Sequence, residues 1–182
     1  MLLLEGWTDV AESAGYYRSA SWRFPNQYIG IVRDAADPAV PTLRLQAEAA
    51  DRFSDASPGN LGDADYRPGD LDTGRLADGT GWFVGWNDPG DWFEYQEVSL
   101  SCGTYRFTAR LANDAEQIVH LEVDGQSLGA VTVPATAGWD AYGLVHLGAL
   151  EVAAGPHDLR LVTDTGNVNV DWFFVRRAAD CR

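Results

Sequence analysis

Gln46, Glu48 and, far along the chain, Asp171 offer three hard oxygen donors. Residues two apart on an extended strand share a face, so Gln46 and Glu48 would present their oxygens side by side. If the first and last strands are neighbours, Asp171 completes the set. Such donors suit calcium, which takes about 6–8 oxygens, backbone carbonyls included. Spacing alone favours a plainer reading: a surface Gln and Glu, and an Asp that opens the last strand.

A second chemistry is suggested by aromatic residues around Gly81-Trp-Phe-Val-Gly-Trp-Asn-Asp-Pro-Gly-Asp-Trp-Phe-Glu-Tyr95. Seven Trp exceed what the core of a chain this size requires. An indole has a flat apolar face and a polar edge, so the axial C–H faces of a pyranose can stack on it while nearby amides hold the hydroxyls. Trp82 and Trp139, each beside a Gly at a loop or strand end, would make two walls of a slot, with the amide of Asn169 at its edge. Taken singly, each Trp is more often core than platform. Trp92 and Trp172, inside apolar strands, are assigned to the core.

Catalytic arrangements are harder to find. His120 and His157 lie in strand patterns without a serine nucleophile elbow or a third partner. Asp88 and Asp91 have the residue types of a glycosidase acid–base pair, but the Gly- and Pro-rich turn that holds them explains them more simply. No catalytic residue is assigned.

The formal charge is −14, and all 13 basic residues are Arg. Such a surface repels nucleic acid and anionic membranes. No apolar run approaches the roughly 20 residues needed to cross a bilayer, and Met1-Leu-Leu-Leu4 is interrupted by Glu5 and Gly6 before it could serve as a signal peptide. The sequence reads as a piece of a longer protein. Cys102 and Cys181 lack metal-ligand spacing. A disulfide, formed in an oxidising compartment, is the better reading, and two unrelated thiols the alternative.

From Leu43 onward, short alternating or apolar runs are separated by turn residues, without helical periodicity. Strands are expected at 43–48, 82–86, 91–100, 104–112, 118–123, 128–133, 144–147, 157–162 and 168–175. This many strands implies an all-β, two-sheet sandwich. Asp124-Gly125 marks a type I′ hairpin, because both central residues need φ > 0. The Gly-, Asp-, Ser- and Pro-rich stretch at 51–81 reads as a long loop crossing one end of the sandwich. Residues 1–42 differ in texture: Gly15 to Phe24 is aromatic and strand-like, and Asp34 to Pro41 reads as a linker. They are the tail of an adjoining module or an amino-terminal strand of the same sandwich. Residues 43–177 form the sandwich domain and 178–182 a tail.

At these motifs the chain resembles carbohydrate-binding module family six, with family thirty-five as a near neighbour. The matching pieces are Leu43-Arg-Leu-Gln-Ala-Glu48, Pro58-Gly-Asn-Leu-Gly62, Tyr66-Arg67, Val84-Gly-Trp-Asn-Asp-Pro-Gly-Asp-Trp-Phe-Glu-Tyr95, Gly103-Thr-Tyr-Arg-Phe107, His120-Leu-Glu-Val-Asp-Gly125, Val133-Pro-Ala-Thr-Ala-Gly-Trp139, Gly155-Pro-His-Asp-Leu-Arg-Leu-Val162 and Asn169-Val-Asp-Trp-Phe173. Each is unspecific alone; together they run in the family's order.

The resemblance implies a β jelly roll attached to secreted enzymes that degrade polysaccharides. It also implies a structural calcium on Gln46, Glu48 and Asp171, reversing the plainer reading, and a loop-end sugar slot on Trp82, Trp139 and Asn169. Where the family often has Tyr-Asn before Val-Gly, this chain has Trp82-Phe83, so an amide is lost: either specificity differs or Phe83 becomes a platform itself. The expectation is an extracellular, monomeric, noncatalytic module that holds a linked catalytic module on a β-linked polysaccharide of β-glucan, agarose or xylan type. A glycoside hydrolase fragment and a cell-surface adhesion domain are the alternatives.

Overall fold

The structure, a computed structural model, describes residues 8–11, 16–20, 28–34, 37–63 and 65–181, with side-chain surroundings from Thr42 onward. Fourteen strands follow one another along the described chain: β1 (Thr8–Ala11), β2 (Tyr16–Ala20), β3 (Tyr28–Asp34), β4 (Asp37–Gln46), β5 (Arg52–Ser54), β6 (Thr73–Arg75), β7 (Trp82–Val84), β8 (Trp92–Leu100), β9 (Gly103–Ala112), β10 (Gln117–Val123), β11 (Gln126–Val133), β12 (Gly143–Val152), β13 (Gly155–Thr163) and β14 (Asn169–Asp180). A 3-10 turn, Ala47–Ala49, follows β4.

The strands form two antiparallel sheets. In the larger, β14 is central, pairing with β4, β9 and β7, while β12 borders β9 and β6 borders β7. The smaller has the order β11-β10-β13-β8-β5. The all-β sandwich expected from the sequence is the fold observed. β1, β2 and β3 extend the larger sheet beyond β4, with Ile29 opposite Leu45 and Ile31 opposite Leu43. The junction expected near Pro41 therefore lies inside β4. Part of the strand-like run from Gly15 to Phe24 falls outside the described residues; Tyr16–Ala20 is β2.

Period-two alternation builds the core. In β9, Tyr105, Phe107, Ala109 and Leu111 point inward, and in β13 Leu159 and Leu161 stand opposite Val123 and Leu121 of β10. Burying each large apolar side chain contributes roughly 1.5–3 kcal/mol. Tyr95 joins the two sheets: its ring stands edge-on to Phe173, with centroids 5.0 Å apart, and its hydroxyl donates to the Gln46 carbonyl.

The same alternation corrects one expectation. Phe93 and Phe173 occupy the core, so Trp92 is carried on the outer face of its sheet, whereas Trp172 is buried, at 8% exposure, as the sequence suggests. Trp92 lies under the Arg160 guanidinium, 4.2 Å from its ring centroid, and Trp172 packs on Phe174 and beneath Arg44.

Cys102, in the β8–β9 turn, is bonded to Cys181 just after β14. The Asp124-Gly125 hairpin joins β10 to β11 with φ values of 52° and 76°, as a type I′ turn requires. Asp124 does a second job: its carboxylate accepts from His157 Nδ1 at 2.7 Å, while the other ring nitrogen faces the Ala153 carbonyl at 3.0 Å. Both nitrogens must carry protons to satisfy both acceptors. Burial opposes that charge, but the Asp124 and Ala153 bonds and the charges of Asp124 and Asp158 outweigh it and hold the ring above the ordinary imidazole range. A raised His value stabilises the fold fully below the unfolded value of about 6.5, and the stabilisation is lost as pH rises through the folded value. At the acid end the pair is lost only as pH falls through the lowered Asp124 value. The melting temperature of the wild type should thus fall about 2 °C further between pH 6 and pH 8 than that of His157→Asn, an effect kept small by the solvent around Asp124. Thermal unfolding at the two pH values measures this difference.

The long loop between β5 and β6 shows where many of the Asp residues are used. Asp72, fully buried, accepts from Leu61 N at 2.5 Å and from Ser57 Oγ at 3.3 Å. Asp91 accepts from Ala56 N at 2.9 Å and Asp88 N at 2.7 Å. Carboxylates thereby satisfy backbone donors that no strand can reach, and they fix a loop that borders the site.

Candidate functional site

A cleft of about 330 Å³ opens at one end of the sandwich, lined by Arg75, Phe83, Trp86, Trp139, Asp140, Asn167 and Asn169. Its walls are two indoles, Trp86 at 41% and Trp139 at 39% exposure, which are among the few large apolar side chains left open to solvent in the described residues.

Trp86 follows β7 and Gly85 with φ of 51°, in the left-handed region. For a bulky residue this costs about 1–2 kcal/mol and is tolerated where the surroundings dictate it. They do so here: Asn87 donates to the Val168 carbonyl at 2.7 Å, and the indole stacks on buried Phe83, with centroids 5.6 Å apart and planes 20° apart. Gly62 leaves room for the far edge of the ring, since a Cβ there would lie 2.5 Å from it. Gly85 allows the Asn169 side-chain oxygen to come within 2.5 Å of where its own Cβ would stand.

Trp139 sits in the β11–β12 connection. The Thr136 hydroxyl lies 2.7 and 3.0 Å from the Asn113 and Gly138 carbonyls, which share its one proton, and Ala141 N donates to the Gly138 carbonyl at 3.0 Å, making a pinned loop. Asn169, the buried first residue of β14, donates from Nδ2 to the Trp139 carbonyl at 3.1 Å. The cleft therefore brings Trp139 and Asn169 together. Trp82 is placed beside it, behind Arg75, whose guanidinium carbon is 4.5 Å from the Trp82 ring centroid and which also pairs with Asp63 and Asp65 at 2.9 and 3.0 Å. Trp86, stacked on Phe83, lines the same cleft. The strand expected at 82–86 ends at Val84, and the Gly before Trp86 and Asn-Asp-Pro-Gly after it form a loop that exposes its ring.

The three proposed metal donors lie where β4 meets β14. Gln46 ends β4 and Glu48 is on the 3-10 turn, so the side-by-side strand geometry expected for them is not the observed one. The turn buries Glu48 instead, close enough to Asp171 for the two charges to repel. Desolvation, with help from Asp171, pushes Glu48 up to about 8. Burial likewise raises Asp171 against the pull of Arg110, which donates to its Oδ2. Glu48 Oε2 and Asp171 Oδ1 are buried without hydrogen-bond partners among the described residues. Two buried carboxylates with orphaned oxygens are costly unless a cation or proton joins them. The donor set therefore fits a hard cation. The Gln46 amide oxygen is held by Arg44 Nε at 3.1 Å, and Arg67 fastens the turn through the Ala50 carbonyl at 2.8 Å.

Comparison with known proteins agrees with the fold. A family model described as carbohydrate binding module (family 35) matches residues 67–175, and one described as a domain of unknown function (DUF5010) matches residues 1–52. Endo-1,4-beta-xylanase A of Thermoclostridium stercorarium is 33% identical over 98 residues, 52% of this chain but 15% of the xylanase. The chain thus spans a small part of that relative. The β-1,3-glucan-binding family 6 module from Bacillus halodurans has a TM-score of 0.58 and 29% identity, covering 74% of this chain and 95% of that one. The C-terminal family 6 module of the laminarinase LamC from Zobellia galactanivorans has a TM-score of 0.61 and 24% identity, covering 75% of this chain and 99% of that one. With the family 35 model matching more than half of its length, on a sandwich shared with family 6 modules, the chain belongs to this family of carbohydrate-binding modules.

Proposed function

We propose that the chain is a noncatalytic module that holds a linked or partner polysaccharide-degrading enzyme on a β-linked glycan, gripping a sugar ring between Trp86 and Trp139 with Asn169 at the edge. The observation that carries this reading is the pair of exposed indoles facing a single cleft. Exposed Trp is otherwise uncommon, and two rings at one cleft suit the two apolar faces of a pyranose. The cleft lining offers one carboxylate, Asp140, where glycoside hydrolysis generally uses a pair. Asp63, Asp65 and Asp140 outnumber Arg75 at the rim, which favours neutral glycans over uronates. The Bacillus module's β-1,3-glucan makes β-glucans the first candidates, and the xylanase relative adds xylan.

Affinity electrophoresis against laminarin, barley β-glucan, xylan and agarose tests the reading. Retardation by at least one neutral glycan, without release of reducing sugar, is expected; migration unchanged in all four would overturn it. Binding at one shallow cleft is modest, so tandem copies should bind much more tightly than one.

The second part of the proposal is a structural calcium held by Glu48 and Asp171, with Gln46 completing the side-chain set. When bound it would neutralise the buried carboxylates and tie the β4 turn to β14. An ion present at about 100 times its dissociation constant stabilises the fold by about 2.7 kcal/mol. Chelator should therefore lower the melting temperature by about 5–10 °C. The Glu48→Gln/Asp171→Asn variant should show no chelator effect; an equal drop in that variant would place the ion elsewhere. The disulfide supports export to an oxidising, extracellular setting.

A further inference from the structure

Arg110 lies on β9, opposite Trp172 of β14 and Leu144 of β12, on the outer face of the larger sheet. It does not line the cleft, yet its contacts lead there. One guanidinium nitrogen donates to Asp171 Oδ2, and the guanidinium carbon stands 4.4 Å from the ring centroid of Tyr142. Tyr142 closes the loop that carries Trp139: Gly138, Trp139, Asp140 and Ala141 precede it, and β12 begins at the next residue. Its hydroxyl is buried without a well-formed hydrogen bond, within reach of the Asn169 side chain. Asn169 in turn holds the Trp139 carbonyl and lines the cleft, two residues before Asp171 on β14.

A chain of contacts results, running from Asp171 through Arg110 to Tyr142, at the end of the loop whose Trp139 carbonyl is held by Asn169 of the same strand as Asp171. An ion pair at one end anchors the guanidinium plane. That plane seats a tyrosine ring, and the ring fixes the end of the loop that brings Trp139 and Asp140 to the cleft. A planar guanidinium can pair with a carboxylate through its edge and stack on a ring through its face, which an ammonium cannot do. We infer that Arg110 and Tyr142 are positioning residues of the cleft, setting the placement of Trp139 and Asn169 without touching the glycan. The consequence for affinity rests on the glycan-binding reading above; the positioning itself does not.

The test uses the whole chain and has two readouts. Without glycan, Arg110→Gln and Tyr142→Ala should each shift the Trp139 indole and Asn169 carboxamide signals in amide-correlation spectra while leaving the Trp92 indole in place. With a retained glycan, each should weaken binding roughly five- to tenfold, and the double variant should lose no more than the worse single one, because groups in one chain of contacts are not additive. Arg110→Lys, which keeps the charge opposite Asp171 but lacks the planar face, should keep the wild-type melting temperature and still show the affinity loss. Unmoved Trp139 and Asn169 signals, wild-type affinity in Arg110→Gln or Arg110→Lys, or losses that multiply in the double variant would each overturn the inference. If the wild type binds none of the glycans, the functional reading fails, and the spectra still decide the positioning.

Discussion

Replacing Trp139 with alanine weakens glycan binding at least tenfold, Trp86→Ala does the same, and both variants keep the wild-type melting temperature to within about 3 °C. The expectation follows from exposure: each ring keeps about two-fifths of its surface open, at 39% and 41%, so its loss removes contact with the sugar more than contact with the core. A tenfold loss corresponds to about 1.4 kcal/mol, within the range expected for stacking on an aromatic face. Trp86→Ala leaves the left-handed backbone strain in place, whereas Trp86→Gly relieves it. The glycine variant should therefore be as poor a binder as the alanine variant and no less stable than it. Trp82→Ala should cost only a few fold, since Trp82 acts by backing Arg75. Isothermal titration with laminarin oligosaccharides measures all four.

Reducing the disulfide, or replacing both cysteines with serine, should cause the largest loss of stability of any change away from the core. The bond spans 79 residues of sequence. On the chain-entropy account, a loop of that length contributes about 4 kcal/mol. For a chain of this size the melting temperature should then drop by about 8–15 °C. The effect is placed at the end of β14, the central strand of the larger sheet, where Arg177 also donates to the Cys102 carbonyl. Differential scanning calorimetry with and without reductant gives the number, and a drop under 2 °C would mean that packing alone holds the end of β14.

The sandwich was legible because its strands alternate so regularly. Tyr105, Phe107, Ala109 and Leu111 in β9, and Leu159 and Leu161 in β13, announce both the strand and its inner face. Asp124-Gly125 announces its hairpin because few other pairs accept two positive φ angles. The site was less legible because it depends on departures from regularity. Trp86 looks like the last residue of a strand until its backbone is seen to turn left-handed. Glu48 looks like a strand residue two after Gln46 until a 3-10 turn buries it. Trp92 is apolar enough for the core, but the pleat gives the inward position to Phe93. Asn169 and Trp139, by contrast, were found from sequence through family resemblance, and the structure brings them into one cleft.

The most direct test of a sugar gripped between Trp86 and Trp139 is to watch the indoles themselves. The seven tryptophans give seven indole N–H signals, assignable by single replacement. Titration with a retained oligosaccharide should shift the signals of Trp86 and Trp139 strongly and leave those of Trp92 and Trp172 unmoved. Shifts confined to Trp92, on the outer face of the smaller sheet, with Trp86 and Trp139 unmoved, would contradict the account.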